Sequence, residues 1–273
     1  MNFAARVALV LSLVLPAAWA ADDSTRVALE GVVAGGQRSA PHRARDVYRH
    51  PVQTLLFFGV RPDMTVVELY PGGEGWYTEI LGPFLRDHGT LYAAGYDPNS
   101  SEDYYRKNGQ KFADKLAADP KSYDRVKVTV LDPPKQVEIA PPGSADMVLT
   151  FRNIHNWMDD GQVESVFAAA YRALKPGGIF GVEEHRGNPA VAQDPKAKTG
   201  YVNEDYVIKL AKDAGFELVA KSEINANPED TKNYPDGVWD LPPTLTGGDV
   251  DRAKYLAIGE SDRMTLKFAK PAK

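Results

Sequence analysis

Glu68, Gly72, Gly73 and Gly75 fall within eight residues, inside the run Val66-Val67-Glu68-Leu69-Tyr70-Pro71-Gly72-Gly73-Glu74-Gly75-Trp76-Tyr77-Thr78-Glu79-Ile80-Leu81. β-favouring residues (Thr65, Val66, Val67) lead into the acid, and a helical pattern follows the glycines. A turn of this kind lets backbone N–H groups and a helix N-terminus approach a ligand closely, because glycine has no Cβ in the way. The run therefore reads as the first βα unit of a nucleotide- or nucleoside-binding α/β domain. Asp97 follows Gly75 by 22 residues, a spacing at which a carboxylate accepts hydrogen bonds from both hydroxyls of a ribose. An Asp-Pro turn explains the same residue.

Other chemical groups lie further on. His155 and the Glu183-Glu184-His185 group are candidates to take or give a proton. Adjacent residues on a strand face opposite ways, so the latter three do not chelate as a unit, and no metal is expected. The dinucleotide fingerprint G-x-G-x-x-G fails at its third glycine, since Gly73-Glu74-Gly75-Trp76-Tyr77 ends in Thr78. Neither G-x-S-x-G, a P-loop nor H-E-x-x-H occurs, which argues against hydrolase and kinase chemistry.

The elements that must position these groups alternate. Val47, Tyr48, Val52, Leu55 and Leu56 read as helical from Arg45, with Pro51 starting a second piece, and Gly59 to Asp63 turn into strand one. A helix over Trp76–Leu85 is followed by strand two (Thr90–Tyr96), a helix (Asp103–Leu116), strand three (Val126–Leu131) and strand four (Asp146–Phe151). Val163, Val166, Phe167, Ala170 and Leu174 mark the next helix, which Lys175-Pro176-Gly177-Gly178 stops before strand five (Ile179–Glu183). A helix over Asn203–Ala214 precedes strands six (Phe216–Ile224) and seven (Met264–Phe268). The pattern predicts an α/β fold, doubly wound, with a mostly parallel seven-stranded sheet and an antiparallel pair at its C-terminal edge. Residues 225–262, rich in Asn, Asp, Pro and Gly and carrying Trp239, form a loop long enough to cover a site.

Bulk properties are those of one globular domain with an appendage: 273 residues, 43% hydrophobic, 25% charged and no cysteine. Arg6, the apolar run Val7–Leu15, then Pro16 and Ala18-Trp19-Ala20 resemble a secretory signal peptide over 1–20. The apolar run is too short to span a bilayer, which takes about 20 residues. Residues 21–44 read as a flexible lead-in and 45–273 as the domain. The expected compartment is periplasmic or secreted, without stable membrane insertion once the leader is cleaved and, lacking cysteine, without a lipid anchor. Losing Arg6 with the leader takes the formal net charge from −5 to −6. No basic cluster suggests nucleic acid, so the expected partner is a small molecule. Nothing in the sequence speaks to oligomeric state.

Taken together, the ordered pieces over about 60–270 resemble the class I S-adenosylmethionine-dependent methyltransferases. The resemblance rests on the acid-plus-glycine turn at 68–75, Asp97 after strand two, Asp132 after strand three and the polar end of strand four. It also uses Leu174 to Gly178 before strand five and Ala214-Gly215-Phe216 before the terminal pair. Arg45-Asp46-Val47-Tyr48-Arg49-His50-Pro51, Phe151-Arg152-Asn153-Ile154-His155-Asn156-Trp157 and Glu260-Ser261-Asp262-Arg263 are similar to a group of exported "predicted methyltransferases" of unassigned substrate. Two departures stand out: Tyr70 occupies a position usually held by glycine, and the loop is one residue longer around Glu74.

The resemblance implies S-adenosylmethionine as cofactor. Glu68 would hold its ammonium, Gly72, Gly73 and Gly75 would permit close backbone approach, Asp97 would take the ribose and Asp132 the adenine amino group. Asn153 and Arg152 would meet the cofactor's carboxylate or the substrate. Asp132 serves equally as a strand terminator in Asp-Pro-Pro, and Arg152 as a structural ion-pair partner. His155 and His185 are the expected bases, with Trp157 and Tyr201 as candidate cavity residues. The expected function is methyl transfer to a small molecule. The alternative, favoured by Tyr70 and the altered loop, is a non-catalytic periplasmic binding protein that uses the same fold for another nucleoside or metabolite.

Overall fold

The computed structural model describes residues 17–272. Most of the expected leader, residues 1–16, lies outside the described residues. In chain order the elements are α1 (Ala17–Val33), α2 (Ala40–Arg43), α3 (Asp46–Arg49), α4 (Pro51–Phe58), β1 (Thr65–Leu69), α5 (Thr78–Leu85), β2 (Thr90–Gly95), α6 (Asp103–Ala118), α7 (Pro120–Tyr123) and β3 (Lys127–Val130). They continue with β4 (Ala145–Phe151), α8 (Ile154–Asp159), α9 (Val163–Ala173), β5 (Leu174–His185), α10 (Glu204–Asp213), β6 (Glu217–Ser222), a 3-10 turn (Gly237–Asp240), α11 (Arg252–Ile258) and β7 (Arg263–Ala269).

The seven strands form one sheet in the order β3-β2-β1-β4-β5-β7-β6. Pairs from β3 to β5 are parallel, whereas β5–β7 and β7–β6 are antiparallel. This is the doubly wound sheet with the antiparallel C-terminal edge that the alternating pattern predicts. β1 and β4 are central and covered on both faces, which is why they read as near-continuous apolar runs. One face packs Val67, Val148, Phe167, Phe180 and Val207, and the other Leu29, Leu55, Phe58, Val66 and Ile80. Strand order reverses between β1 and β4, and in open α/β sheets such a switch point opens a crevice at the carboxyl ends of the strands.

Two local features differ from expectation. Lys175 to Gly178 do not separate α9 from β5; they form an irregularity inside β5, which pairs through Leu174 with Ala145 and resumes at Ile179 with Met147. The supposed flexible lead-in at 21–44 is largely built into the fold. Leu29 of α1 is fully buried in the core, and Arg38, 1% exposed, makes a two-pronged ion pair with Asp46 at 2.6 and 2.9 Å. One apolar contact row and one desolvated arginine are enough to dock a segment whose composition is otherwise polar. No described helix is long and apolar enough to cross a membrane.

Candidate active site

β1 runs out at Leu69, and the chain turns at once. Tyr70 adopts φ 45° and Gly72 φ 68°, both in the left-handed region that suits glycine. Tyr70 is held there by its amide on Ala94 O (2.8 Å) and its hydroxyl on Leu131 O (3.0 Å). Its ring lies between Tyr96 (4.4 Å between centroids) and Trp157 (5.5 Å). β4 ends in the same manner: Arg152 has φ 58°, and its amide donates to Glu183 O at 2.7 Å. Asn153 Nδ2 donates to Leu69 O (3.2 Å) and Tyr70 O (3.4 Å), tying the two central strand ends together.

A cavity of about 330 Å³ opens there, within the size range of small-molecule sites. Glu68, Gly72, Asn153, His155 and His185 all line it, as does Arg152. The long 225–262 segment closes one side with Val238, Trp239 and Pro242, carried on the 3-10 turn and the chain beyond it. Gly73, Gly75, Asp97 and Asp132 are not in its wall. The first two serve packing. A Cβ on Gly73 would come within 2.9 Å of Asn108 Oδ1, and one on Gly75 within 3.0 Å of Phe112, so these glycines let the loop lie against α6. Asp97 accepts the Asn99 amide at 2.8 Å, and Asp132 pairs across a short bridge with Gln136 and meets Lys135 at 3.7 Å. Trp157 is fully buried core, and Tyr201 donates to Asp230 at 2.8 Å under the 225–262 segment.

Glu68 is 2% exposed and accepts the Thr78 hydroxyl at 2.6 Å. Burial raises its pKa from the ordinary 4.5 to about 7, with the Thr78 hydrogen bond pulling the other way. Among the described residues no Lys, Arg or His is in ion-pair range of it. A desolvated carboxyl that faces the cavity and has no ion-pair partner among the described residues is suited to receive a cation from a ligand.

Glu183 and Glu184 turn to opposite sides of β5, as strand geometry requires. Glu184 is fully buried and saturated: Oε2 accepts the Ile154 amide (2.6 Å), while Oε1 accepts the His185 amide (2.8 Å) and faces Nδ1 of His155 (3.1 Å). Glu184 already accepts two backbone N–H groups, so Nδ1 of His155 is the nitrogen that donates to it, and in the neutral ring that tautomer leaves Nε2 as the acceptor. His185 Nδ1 meets Ser261 Oγ at 2.5 Å. Its pKa lies well below the usual range, through burial first and then the neighbouring His155, Arg152, Arg263 and Arg49, so it stays neutral. Ligand atoms of His155, Glu184 and His185 come within 4.8 Å of one another, a spacing compatible with a metal. Both Glu184 oxygens are engaged by N–H groups, which makes the arrangement a carboxylate–histidine pair first. Sequence reasoning named the histidines but not Glu184 as the group that orients one of them. The signal was its place beside His185 on a strand ending at the switch point.

No family model matches the chain, and no curated protein sequence does. Solved structures do. A SAM-dependent methyltransferase from Aquifex aeolicus is 15% identical, with 83% of this chain and 93% of that one covered and a TM-score of 0.54. The [4+2]-cyclase SpnF is 16% identical over 93% and 96%, with a TM-score of 0.56. Phosphoethanolamine N-methyltransferase 2 of Haemonchus contortus, in complex with S-adenosyl-L-methionine, is 18% identical over 91% and 57%, with a TM-score of 0.53. One of these three is named a cyclase, so the architecture alone does not fix the reaction. The chain has the Rossmann-like fold of S-adenosylmethionine-dependent methyltransferases.

Proposed function

We propose that the protein binds S-adenosylmethionine and transfers its methyl group to a small molecule. The observation that carries this reading is the pairing, in one cavity of a methyltransferase fold, of a buried carboxyl that lacks a cation with an oriented histidine base. The donor end fits: Glu68 receives the ammonium, and Gly72, with open space where a Cβ would stand, allows close backbone approach. Tyr70 and Tyr96 replace the usual glycine-lined wall with an aromatic one. Asp97, one residue beyond Tyr96, is the proposed ribose contact, and Asp132 the adenine contact.

Bound S-adenosylmethionine would supply a methyl group already activated as a sulfonium. The protein's part is proximity, orientation and removal of the acceptor's proton. Nε2 of His155 holds that proton, and the Glu184 carboxylate steadies the imidazolium that results. Trp239, 5.4 Å from the His155 ring, shields the pair from water. Export by a leader over 1–20 is part of the same proposal, and fractionation of cells expressing the full chain tests it: a processed product outside the cytoplasm supports it, whereas unprocessed cytoplasmic protein refutes it.

One observation favours the second reading, a non-catalytic binding protein of the periplasm: Tyr70 is a bulky residue held at a glycine conformation inside the binding turn. Calorimetric titration of S-adenosylmethionine and S-adenosylhomocysteine, with NADH as control, separates the two. Micromolar binding of the adenosyl ligands alone supports the methyltransferase. Their failure to bind a folded sample leaves only the fold and moves the case to the binding protein.

A further inference from the structure

Four arginines meet at this cavity: Arg45 and Arg152 in its wall, and Arg49 and Arg263 joined to them through Glu260 and Glu183. Arg263, 1% exposed, donates to Glu183 Oε1 at 3.1 Å and to Glu260. Arg45 Nε donates to Glu260 Oε1 at 2.5 Å, and Arg49 Nε stands 3.6 Å from Glu260 Oε2. Arg152 Nη1 lies 3.8 Å from Glu183 Oε1, whose second oxygen accepts the Tyr77 hydroxyl at 3.1 Å. Two carboxylates thus serve four guanidinium groups. The other nearby acids offer them no acceptor: both Glu184 oxygens are taken by N–H groups, and Glu68 makes no ion pair among the described residues.

The shortage of acceptors shows at the atoms. Arg49 Nε and Nη1, Arg152 Nη1 and Arg263 Nε are buried without a hydrogen-bond partner among the described residues. Arg49, 3% exposed, has its pKa pushed well down by burial first and then by Arg152 and Arg45. Leaving buried charge uncompensated is costly. Arg45, Arg152 and His155 line the same cavity, whose wall also carries the aromatic residues Trp76, Tyr77, Phe151 and Trp239, the last of them 5.4 Å from the His155 ring.

We infer that this arginine cluster binds an anionic head group, carboxylate or phosphate, of an acceptor substrate with an aromatic or apolar body. The inference rests on the proposed methyl transfer for the word acceptor, and on the cluster alone for the anion. Guanidinium forks match both head groups, while the aromatic wall sets the nucleophile of such a substrate toward His155.

Titration of the purified protein with benzoate, phenyl phosphate and neutral benzamide, with and without S-adenosylhomocysteine, tests it. At least one anion is expected to bind 10-fold or more tighter than benzamide, with S-adenosylhomocysteine still bound. Arg45→Gln is expected to remove at least 10-fold of that preference, and the wild-type comparison decides alone if the variant does not fold. The anion that binds identifies the head group. Equal affinity for benzamide and both anions, or no binding by any, overturns the inference. So does mutual exclusion between the anion and S-adenosylhomocysteine, which would give the arginines to the cofactor's carboxylate. Anion binding by a sample that ignores the adenosyl ligand would refute methyl transfer while leaving the anion site in place.

Discussion

Glu184 fixes His155: its Oε1 lies 3.1 Å from Nδ1 and also takes the amide of His185, so the carboxylate cannot rotate away without stranding a buried N–H. That contact selects the tautomer with Nε2 unprotonated. His155→Gln should lower kcat by about 100-fold or more, in the range of a lost general base. Glu184→Gln, which keeps the size but exchanges an acceptor for a donor, should lower kcat roughly 10-fold or more with KM little changed. It should also move the pH–rate profile. A turnover assay on an identified acceptor that shows both variants at wild-type rate would remove the pair from the mechanism.

The buried Glu68 carboxyl couples stability to pH. Its folded pKa, about 7, lies above the ordinary 4.5, so the folded state binds more protons than the unfolded between these values. Its contribution is full below about pH 4.5 and is lost as pH rises to about 7, amounting to about 3 kcal/mol. Glu68→Gln keeps a Thr78 acceptor and should flatten the dependence of Tm on pH between 5 and 8. A variant as pH-dependent as wild type would show that Glu68 is not the source.

The same group predicts proton release. At pH 6 Glu68 is mostly protonated, and a ligand ammonium beside it favours the ionised form. Binding of S-adenosylhomocysteine at pH 6 should therefore release up to one proton, read from calorimetric heats in two buffers of different ionisation enthalpy. Glu68→Gln should abolish the release.

Tyr70→Gly removes a ring wedged between Tyr96 and Trp157 and relieves a left-handed backbone worth about 1–2 kcal/mol. Tm should fall because core packing is lost, yet adenosyl affinity should rise roughly 10-fold, a change of about 1.4 kcal/mol. Weaker binding would mean that the tyrosine ring is itself part of the adenosyl site.

Asp97→Ala should weaken S-adenosylmethionine binding about 30-fold or more if its carboxylate takes the ribose hydroxyls, since two charge-assisted bonds amount to about 2–4 kcal/mol. Unchanged affinity would reduce Asp97 to its observed bond with the Asn99 amide.

Much of this molecule is local and was legible in the chain. The Thr65–Leu69 strand, its acid and the glycines behind it carry their own periodicity and turn chemistry, and so do the alternating elements that follow. Those patterns determine the sheet, its antiparallel edge and the end at which a site must lie. What they could not assign was which glycine borders the cavity: Gly72 does, whereas Gly73 and Gly75 answer to α6, a segment some 30 residues on. The docking of 21–44 was hidden too, because its hold depends on Leu29 and Arg38 finding partners elsewhere.

The arginine cluster shows the limit most plainly. Arg45 and Glu260 are 215 residues apart, and Arg263 and Glu183 are 80 apart. In the sequence they were short charged motifs with no visible relation. Hydrophobic period and turn propensity act over a few residues, so they fix elements and strand ends. Charge balance in a buried cavity is a sum over whichever elements meet there, and only the packed sheet, with β5 against β7 and α3 beside them, decided that four guanidinium groups would share two carboxylates.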